Sequence, residues 1–142
     1  MKIIIDVNVF ISASIRNSMT RGLLINSGYE FCFPEPSLHK IRKYQSYILE
    51  KSGLSELEFL VVLHTLLRFV RIIPFEEIAA YWDKAQEIME HIDPEDVTFI
   101  AAALSQKNAI IWSNDRDFER QDQVICLKTK DLVQLGAYFQ MN

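Results

Sequence analysis

An α/β fold with a mostly parallel sheet, covered by helices on both faces, is predicted by three features of this 142-residue chain. The runs at 2–5 (Lys-Ile-Ile-Ile) and 109–112 (Ala-Ile-Ile-Trp) are dominated by apolar, β-branched residues and stop at polar ones, as strands buried on both faces do. Helical patterns alternate with strand candidates along the chain, which implies right-handed crossovers and parallel pairing. With 49% hydrophobic and 24% charged residues, and only four Gly and four Pro, the composition is that of one globular domain able to bury a core without staples.

In order, the strand at 2–5 ends at Asp6. A helix is expected over 19–27, a strand at 30–33, and helices over 36–51 and 55–69. The second of these two helices opens with a capping-box pair, Ser55 and Glu58, and carries Leu57, Leu60, Val61, Leu63, Leu66 and Leu67 as a wide apolar face. A strand at 70–73, helices over 76–91 and 94–106, the strand at 109–112, a strand at 123–127 and a helix over 130–139 complete the chain. Asp93 followed by Pro94 and two acids reads as the capped start of the helix at 94, with charges that complement its dipole. No repeat or low-complexity tract interrupts the pattern.

The net charge of -4 excludes nucleic-acid binding driven by bulk charge, so any such contact needs a local patch. Lys40, Arg42 and Lys43 supply one on a single helix, opposite an apolar stripe of Leu38, Ile41 and Ile48. Its bland reading is a solvated face; its functional reading is that Lys40 and Lys43 hold a phosphate backbone. Cys32 and Cys126 have neither CxxC nor Cys/His spacing and read as buried, reduced thiols. His39, His64 and His91 show no ligand spacing and read as surface or packing residues. The apolar start is too short for a signal peptide or a membrane span, so a cytoplasmic protein with no membrane partner is expected. Nucleotide-binding glycine motifs are missing from the sequence.

Four acids fall where the carboxyl edge of such a sheet would gather them. Asp6 follows the first strand, Asp96 lies in the first turn of a late helix, and Asp115 and Asp117 follow the strand at 109–112. Ligands of open α/β sheets bind at that edge. Carboxylates brought together repel unless a cation neutralises them, which points to a hard divalent metal. Each acid alone has a local explanation: Asp6 as a turn residue, Asp96 as a dipole-complementing acid, Asp115 as a turn former. A solvated turn gives no reason for Phe118 after the second acid, so the stretch Trp112 to Phe118 is the most informative. Asn8, two residues past Asp6, could leave the strand toward the same crevice. Periodicity alone does not make the strands at 2–5 and 109–112 neighbours.

The chain resembles a PIN domain, the nuclease fold of VapC-type toxins and of many RNA-processing factors. The residues that carry the resemblance are Ile5-Asp6-Val7-Asn8, Pro34-Glu35-Pro36-Ser37-Leu38 with Ile41, Asp93-Pro94-Glu95-Asp96 with Phe99 and Ala101 to Ala103, and Trp112-Ser113-Asn114-Asp115-Arg116-Asp117-Phe118. The resemblance implies a five-stranded parallel sheet in the order 3-2-1-4-5, with the first and fourth strands side by side. It further implies that Asp6, Asp96 and Asp115 bind Mg²⁺ or Mn²⁺, that Asp117 is a secondary ligand, and that the ion activates water to hydrolyse RNA. Ser113 or Asn114 would orient a carboxylate or a water. A homodimer and an antitoxin protein as partner are implied in the same way.

One departure stands out. Active members of the family usually carry a glutamate at the position that aligns with Lys40. An ammonium cannot ligate a divalent ion and repels it, so a second metal would be weakened or lost. Glu35 is the nearest acid that could partly substitute. Three functions are therefore weighed: a metal-dependent endoribonuclease, as in a toxin–antitoxin pair; a degenerate domain that binds RNA or protein without cutting; and a phosphatase of the haloacid dehalogenase class. The third needs an acid two residues after the first aspartate, where this chain has Asn8. The first is the expectation carried forward.

Overall fold

Asp6 and Asp115 are 109 residues apart in number, and parallel pairing of two isoleucine-rich strands is what brings them to one edge. The computed structural model describes residues 1–16 and 18–141, with side chains as far as residue 136. β1 (Lys2–Ile5) leads into α1 (Val7–Ile15) and α2 (Met19–Asn26). β2 (Glu30–Pro34) passes through a 3₁₀ turn (Glu35–Ser37) into α3 (Leu38–Lys43), α4 (Gln45–Ser52) and α5 (Glu56–Leu67). β3 (Val70–Ile73) is followed by α6 (Phe75–Ala79) and α7 (Trp82–Met89), and a second 3₁₀ turn (Pro94–Asp96) opens α8 (Val97–Ser105). β4 (Ala109–Trp112), a third 3₁₀ turn (Arg116–Arg120), β5 (Cys126–Leu127) and α9 (Thr129–Met141) follow.

The strands form one five-stranded parallel sheet in the order β3-β2-β1-β4-β5. This is the α/β architecture and strand order that the resemblance implied. β1 pairs with β4 in the register Lys2 to Ala109 through Ile5 to Trp112, so the next residues, Asp6 and Ser113, leave the sheet in step. Ile3, Ile4 and Ile5 are at most 1% exposed. Because successive strand side chains point to opposite faces, burial of three in a row requires cover on both. α8 lies on β1, β2 and β4 with α6 and α7 packed against it, while α1 gathers α2, α3, α4 and α5. Among the described residues no helix is long and apolar enough to cross a membrane.

Three local expectations are corrected. The helix α1 was not foreseen. Its sequence, VNVFISASI, is rich in β-branched residues with weak helix propensity, and burial of Val7, Val9, Phe10, Ile11 and Ala13 overrides that preference. The expected helices over 36–51 and 76–91 each break in two, at Tyr44 (φ -94°, ψ 6°) and near Tyr81 (φ -106°, ψ 1°). The expected strand 123–127 shrinks to Cys126–Leu127, because the Gln121 side chain folds the preceding loop on itself. Its Nε2 donates to the carbonyls of Phe118 and Val124, and its Oε1 accepts from the amides of Gln123 and Val124.

Other elements follow the pattern closely. Ser55 and Glu58 form the capping box, each side chain taking the other's backbone N–H at 3.1 Å. Gly53 adopts the left-handed φ of 72° that ends α4 without a Cβ penalty. The apolar face assigned to α5 is only partly used. Of its residues Leu66 is buried and Leu63 and Leu67 are half-buried, but Leu57, Leu60 and Val61 are 73%, 48% and 60% exposed. Cys32 is buried and Cys126 half-buried, both as free thiols. Burial pushes the Cys126 thiol up to about 12, so it is not a nucleophile at neutral pH.

Candidate metal centre

The site is assembled by three chain segments that leave the sheet or enter α8 at the same edge. Asp6 is 3% exposed and continues the β1 to β4 ladder by donating its N–H to the Trp112 carbonyl at 3.0 Å. Its side chain does not cap α1. Instead Oδ2 accepts a 2.7 Å hydrogen bond from the Ser113 hydroxyl. The same hydroxyl oxygen accepts from the Asp115 N–H at 3.0 Å, so fully buried Ser113 ties two of the acids to one point. Ser113 therefore has the orienting contact expected of Ser113 or Asn114. Asn114 is turned elsewhere: Oδ1 accepts from the Thr129 N–H at 3.1 Å and Nδ2 donates to the Thr129 hydroxyl at 3.2 Å, pinning the start of α9.

Beyond Ser113 the backbone turns tightly. Asp115 Oδ1 accepts from the Asp117 N–H at 2.9 Å, an aspartate turn that starts the 3₁₀ segment, and fully buried Phe118 anchors the turn in the core. On the other side, Asp93 caps the turn before α8, its Oδ1 accepting from the Glu95 N–H at 3.0 Å. Asp96 then lies at the head of α8 and is 7% exposed.

These folds bring Asp93, Asp96, Asp115 and Asp117 together. One carboxylate oxygen from each lies within 4.8 Å of the others. Three of the four were named from sequence. Asp93 was read only as a cap, although its i, i+3 spacing to Asp96 on one helical turn was the available signal. Asp6 is not one of these four. It is near enough for its charge to act on Asp96, and the charge of Asp115 acts on Asp6.

The electrostatics are those of buried carboxylates crowded together. Asp96 is pushed up to about 8, first by burial, then by the charges of Asp6, Asp93 and Asp115 and by a hydrogen bond with the Asp93 side chain. Burial also raises Asp6, opposed by the hydrogen bonds from Ser113 and the Val7 N–H, reinforced by Asp115, and eased by Lys40. Asp96 Oδ2 is buried with no hydrogen-bond partner. A buried carboxylate oxygen without a donor costs about 1–3 kcal/mol or more, and a bound cation removes that cost. The donor set fits a hard divalent ion: all oxygen, anionic, and close enough to share one ion.

Lys40 sits beside the acids. Its ammonium is 3.5 Å from the Glu95 carbonyl, to which it donates, and 5.7 Å from the centre of the Phe99 ring. Lys43 instead lies over the Tyr44 ring at 5.7 Å and is exposed. Asn8 is exposed on the first turn of α1. Glu35 is not among the acids that meet; its carboxylate accepts from the Phe75 N–H at 3.5 Å, at the start of α6. His39, His64 and His91 are all exposed, the first with its ring against the Pro36 carbonyl.

No curated protein matches the chain significantly. A family model described as PIN domain matches residues 4–138, taking in all of the acids above. With the strand order and the acid cluster at the carboxyl edge already in place, that match over nearly the whole chain assigns it: the protein belongs to the PIN domain family, whose members are generally nucleases that use divalent metals.

Proposed function

We propose that the protein is a Mg²⁺- or Mn²⁺-dependent endoribonuclease, with Asp6, Asp96 and Asp115 as metal ligands, Asp117 as a secondary ligand, and Asp93 close enough to the last three to share their ion. The observation that carries this reading is Asp96 Oδ2, buried without a donor in a group of mutually repelling carboxylates. A sealed structural site would satisfy that oxygen with a protein hydrogen bond; an ion-binding site leaves it for the ion.

Bound there, a divalent ion supplies Lewis acidity toward a phosphodiester and makes water a better nucleophile at neutral pH. The chain's own part is to hold the acids ready for it. Ser113 fixes the Asp6 carboxylate and the Asp115 backbone together. The aspartate turn at Asp115 and Asp117 and the cap at Asp93 set the others before any ligand arrives, so little order is lost on binding. Half-buried Lys40 at the turn that opens α8 and exposed Lys43 on α3 are cations able to meet a phosphate backbone.

Cytoplasmic residence, a homodimer and a small antitoxin protein as partner belong to the same proposal. The alternative is a domain that binds RNA or protein without cutting, and the ammonium of Lys40 at the turn that opens α8 is the feature that favours it.

Incubation of a structured RNA with the protein separates the two. Cleavage with Mn²⁺ or Mg²⁺ is expected, lost with chelator and reduced about 100-fold or more by Asp96→Asn, which corresponds to about 2.7 kcal/mol of barrier. RNA retention without cleavage in any divalent ion would select the binding-only alternative.

A further inference from the structure

We propose that Thr129 is a positioning residue of the metal centre: its hydroxyl, at the head of α9, holds the residues on both sides of Ser113 and so keeps the Ser113 hydroxyl between Asp6 and Asp115. The inference rests on the metal-centre reading above and adds the residue that aligns its acids.

Ser113 is the joint of the centre, and it lies where β4 runs out. Its hydroxyl donates to Asp6 Oδ2 at 2.7 Å and accepts from the Asp115 N–H at 3.0 Å. The backbone up to that point is held by the sheet. The Trp112 carbonyl accepts from the Asp6 N–H at 3.0 Å, and the Ser113 N–H donates to the Leu127 carbonyl at 3.1 Å. β4 ends at Trp112 and β5 at Leu127, so the direction the chain takes next is set by side chains.

Three side-chain contacts there meet at one residue. Thr129 Oγ1 accepts from the Trp112 indole Nε1 at 3.0 Å and from Asn114 Nδ2 at 3.2 Å, and the Thr129 N–H donates to Asn114 Oδ1 at 3.1 Å. A hydroxyl oxygen has two lone pairs, and both are taken here by the residues immediately before and after Ser113. Helix capping accounts for the bond to the Thr129 N–H, and the buried indole accounts for one acceptor. The bond from Asn114 Nδ2 joins the two, so Trp112, Asn114 and Thr129 are locked as a unit around Ser113. Thr129 is also a firm anchor. It opens α9, where Asp131 Oδ2 accepts from the Lys128 N–H at 2.9 Å and fully buried Leu132 seats the first turn in the core.

Calorimetric Mn²⁺ titration, with hydrogen exchange of the metal-free full chain, tests this in the wild type, Thr129→Val, Thr129→Ser, Asn114→Ala and the double variant of Thr129→Val with Asn114→Ala. Thr129→Val keeps the shape and the backbone N–H but offers no acceptor. Its Mn²⁺ affinity should fall about tenfold, while Thr129→Ser stays within about twofold of the wild type. Asn114 is exposed, so Asn114→Ala keeps a folded chain; it should weaken Mn²⁺ about threefold, the worth of one hydrogen bond. Because both substitutions cut one link, the double variant should lose about tenfold rather than about thirtyfold. In metal-free Thr129→Val the Asp115 amide should exchange faster while Ile4 and Ile111 keep their protection, a pattern that a general loss of stability would not give. Unchanged Mn²⁺ affinity in Thr129→Val or Asn114→Ala, fully additive losses, or an Asp115 amide as protected as in the wild type would overturn the role of Thr129 and leave the metal centre standing. A wild type that takes up no Mn²⁺ would defeat the metal-centre reading itself.

Discussion

Two polar clusters in this small domain are built by opposite rules. Where α8 hands over to β4, Gln106 is 8% exposed and fully engaged. Its Oε1 accepts from Lys2 at 3.1 Å and from Arg71 at 3.5 Å, and its Nε2 donates to Glu77 at 3.0 Å and to Ser105 at 3.1 Å. Arg71 and Glu77 close the network with a 2.8 Å ion pair, so every hydrogen-bonding atom of the Gln106 side chain has a partner. At the carboxyl edge five aspartates gather with one neighbouring ammonium, and a buried oxygen is left without a donor. The first arrangement is complete and stabilises the folded chain. The second lowers stability until something positive arrives, which is how a binding site differs from a structural network.

The largest effect expected from that contrast is a gain of stability on damaging the site. At pH 8 without divalent ions, Asp96→Asn should raise the melting temperature by about 4 °C or more, since about 1 kcal/mol shifts a domain of this size by roughly that much. The variant should also lose the stabilisation that Mn²⁺ gives the wild type. An unchanged melting temperature would mean that the acids do not strain the fold.

Next comes pH. Asp96 is raised from 3.8 to about 8 in the folded chain, so the folded state holds the proton more tightly than the unfolded state does. The stability this contributes is full below about pH 4 and drains away as pH rises toward about 8. Thermal melts in chelator should show this decline and melts in Mn²⁺ should flatten it; a metal-free stability that climbs through this window would contradict the raised Asp96.

At the matched cluster the sign reverses. Gln106→Ala should cost about 0.5–1 kcal/mol, the net worth of hydrogen bonds to partly exposed groups, and should leave the number of Mn²⁺ ions bound unchanged. A loss of metal binding in that variant would show that the two clusters are coupled. The smallest effect is expected at Lys43, exposed over Tyr44. Lys43→Ala should lower the salt slope of RNA binding by about 0.7, the contribution of one phosphate contact on a single strand, with no change in metal uptake. No change in slope would return Lys43 to an ordinary solvated residue.

Legibility of the fold tracked how strongly a segment's own residues argued for one state. β1 and β4 were placed to the residue because a buried isoleucine run ended by a polar residue has few alternatives, and the box at Ser55 and Glu58 specified the start of α5 locally. α1 escaped notice because Val7 to Ile15 would pass equally for strand, and only the packing around Phe10 decides it. Leu57, Leu60 and Val61 misled in the other direction: a helical apolar pattern says which residues share a face, not whether anything covers it. In the site, Asp6, Asp96, Asp115 and Asp117 were visible as acids at strand and helix ends, whereas Asp93 was hidden by a sufficient local role as a cap.

Residue order alone determined that this is an α/β chain with acids at the carboxyl ends of two buried strands, because burial pattern and turn chemistry are local properties read over a few residues. Which acids meet, that Ser113 rather than Asn114 joins them, and that Lys40 reaches across to the cap of α8 were decided only by the tertiary structure. Those relations depend on the register of β1 against β4 and on where α3 and α8 rest on the sheet, and such distances are settled by packing between segments far apart in the chain.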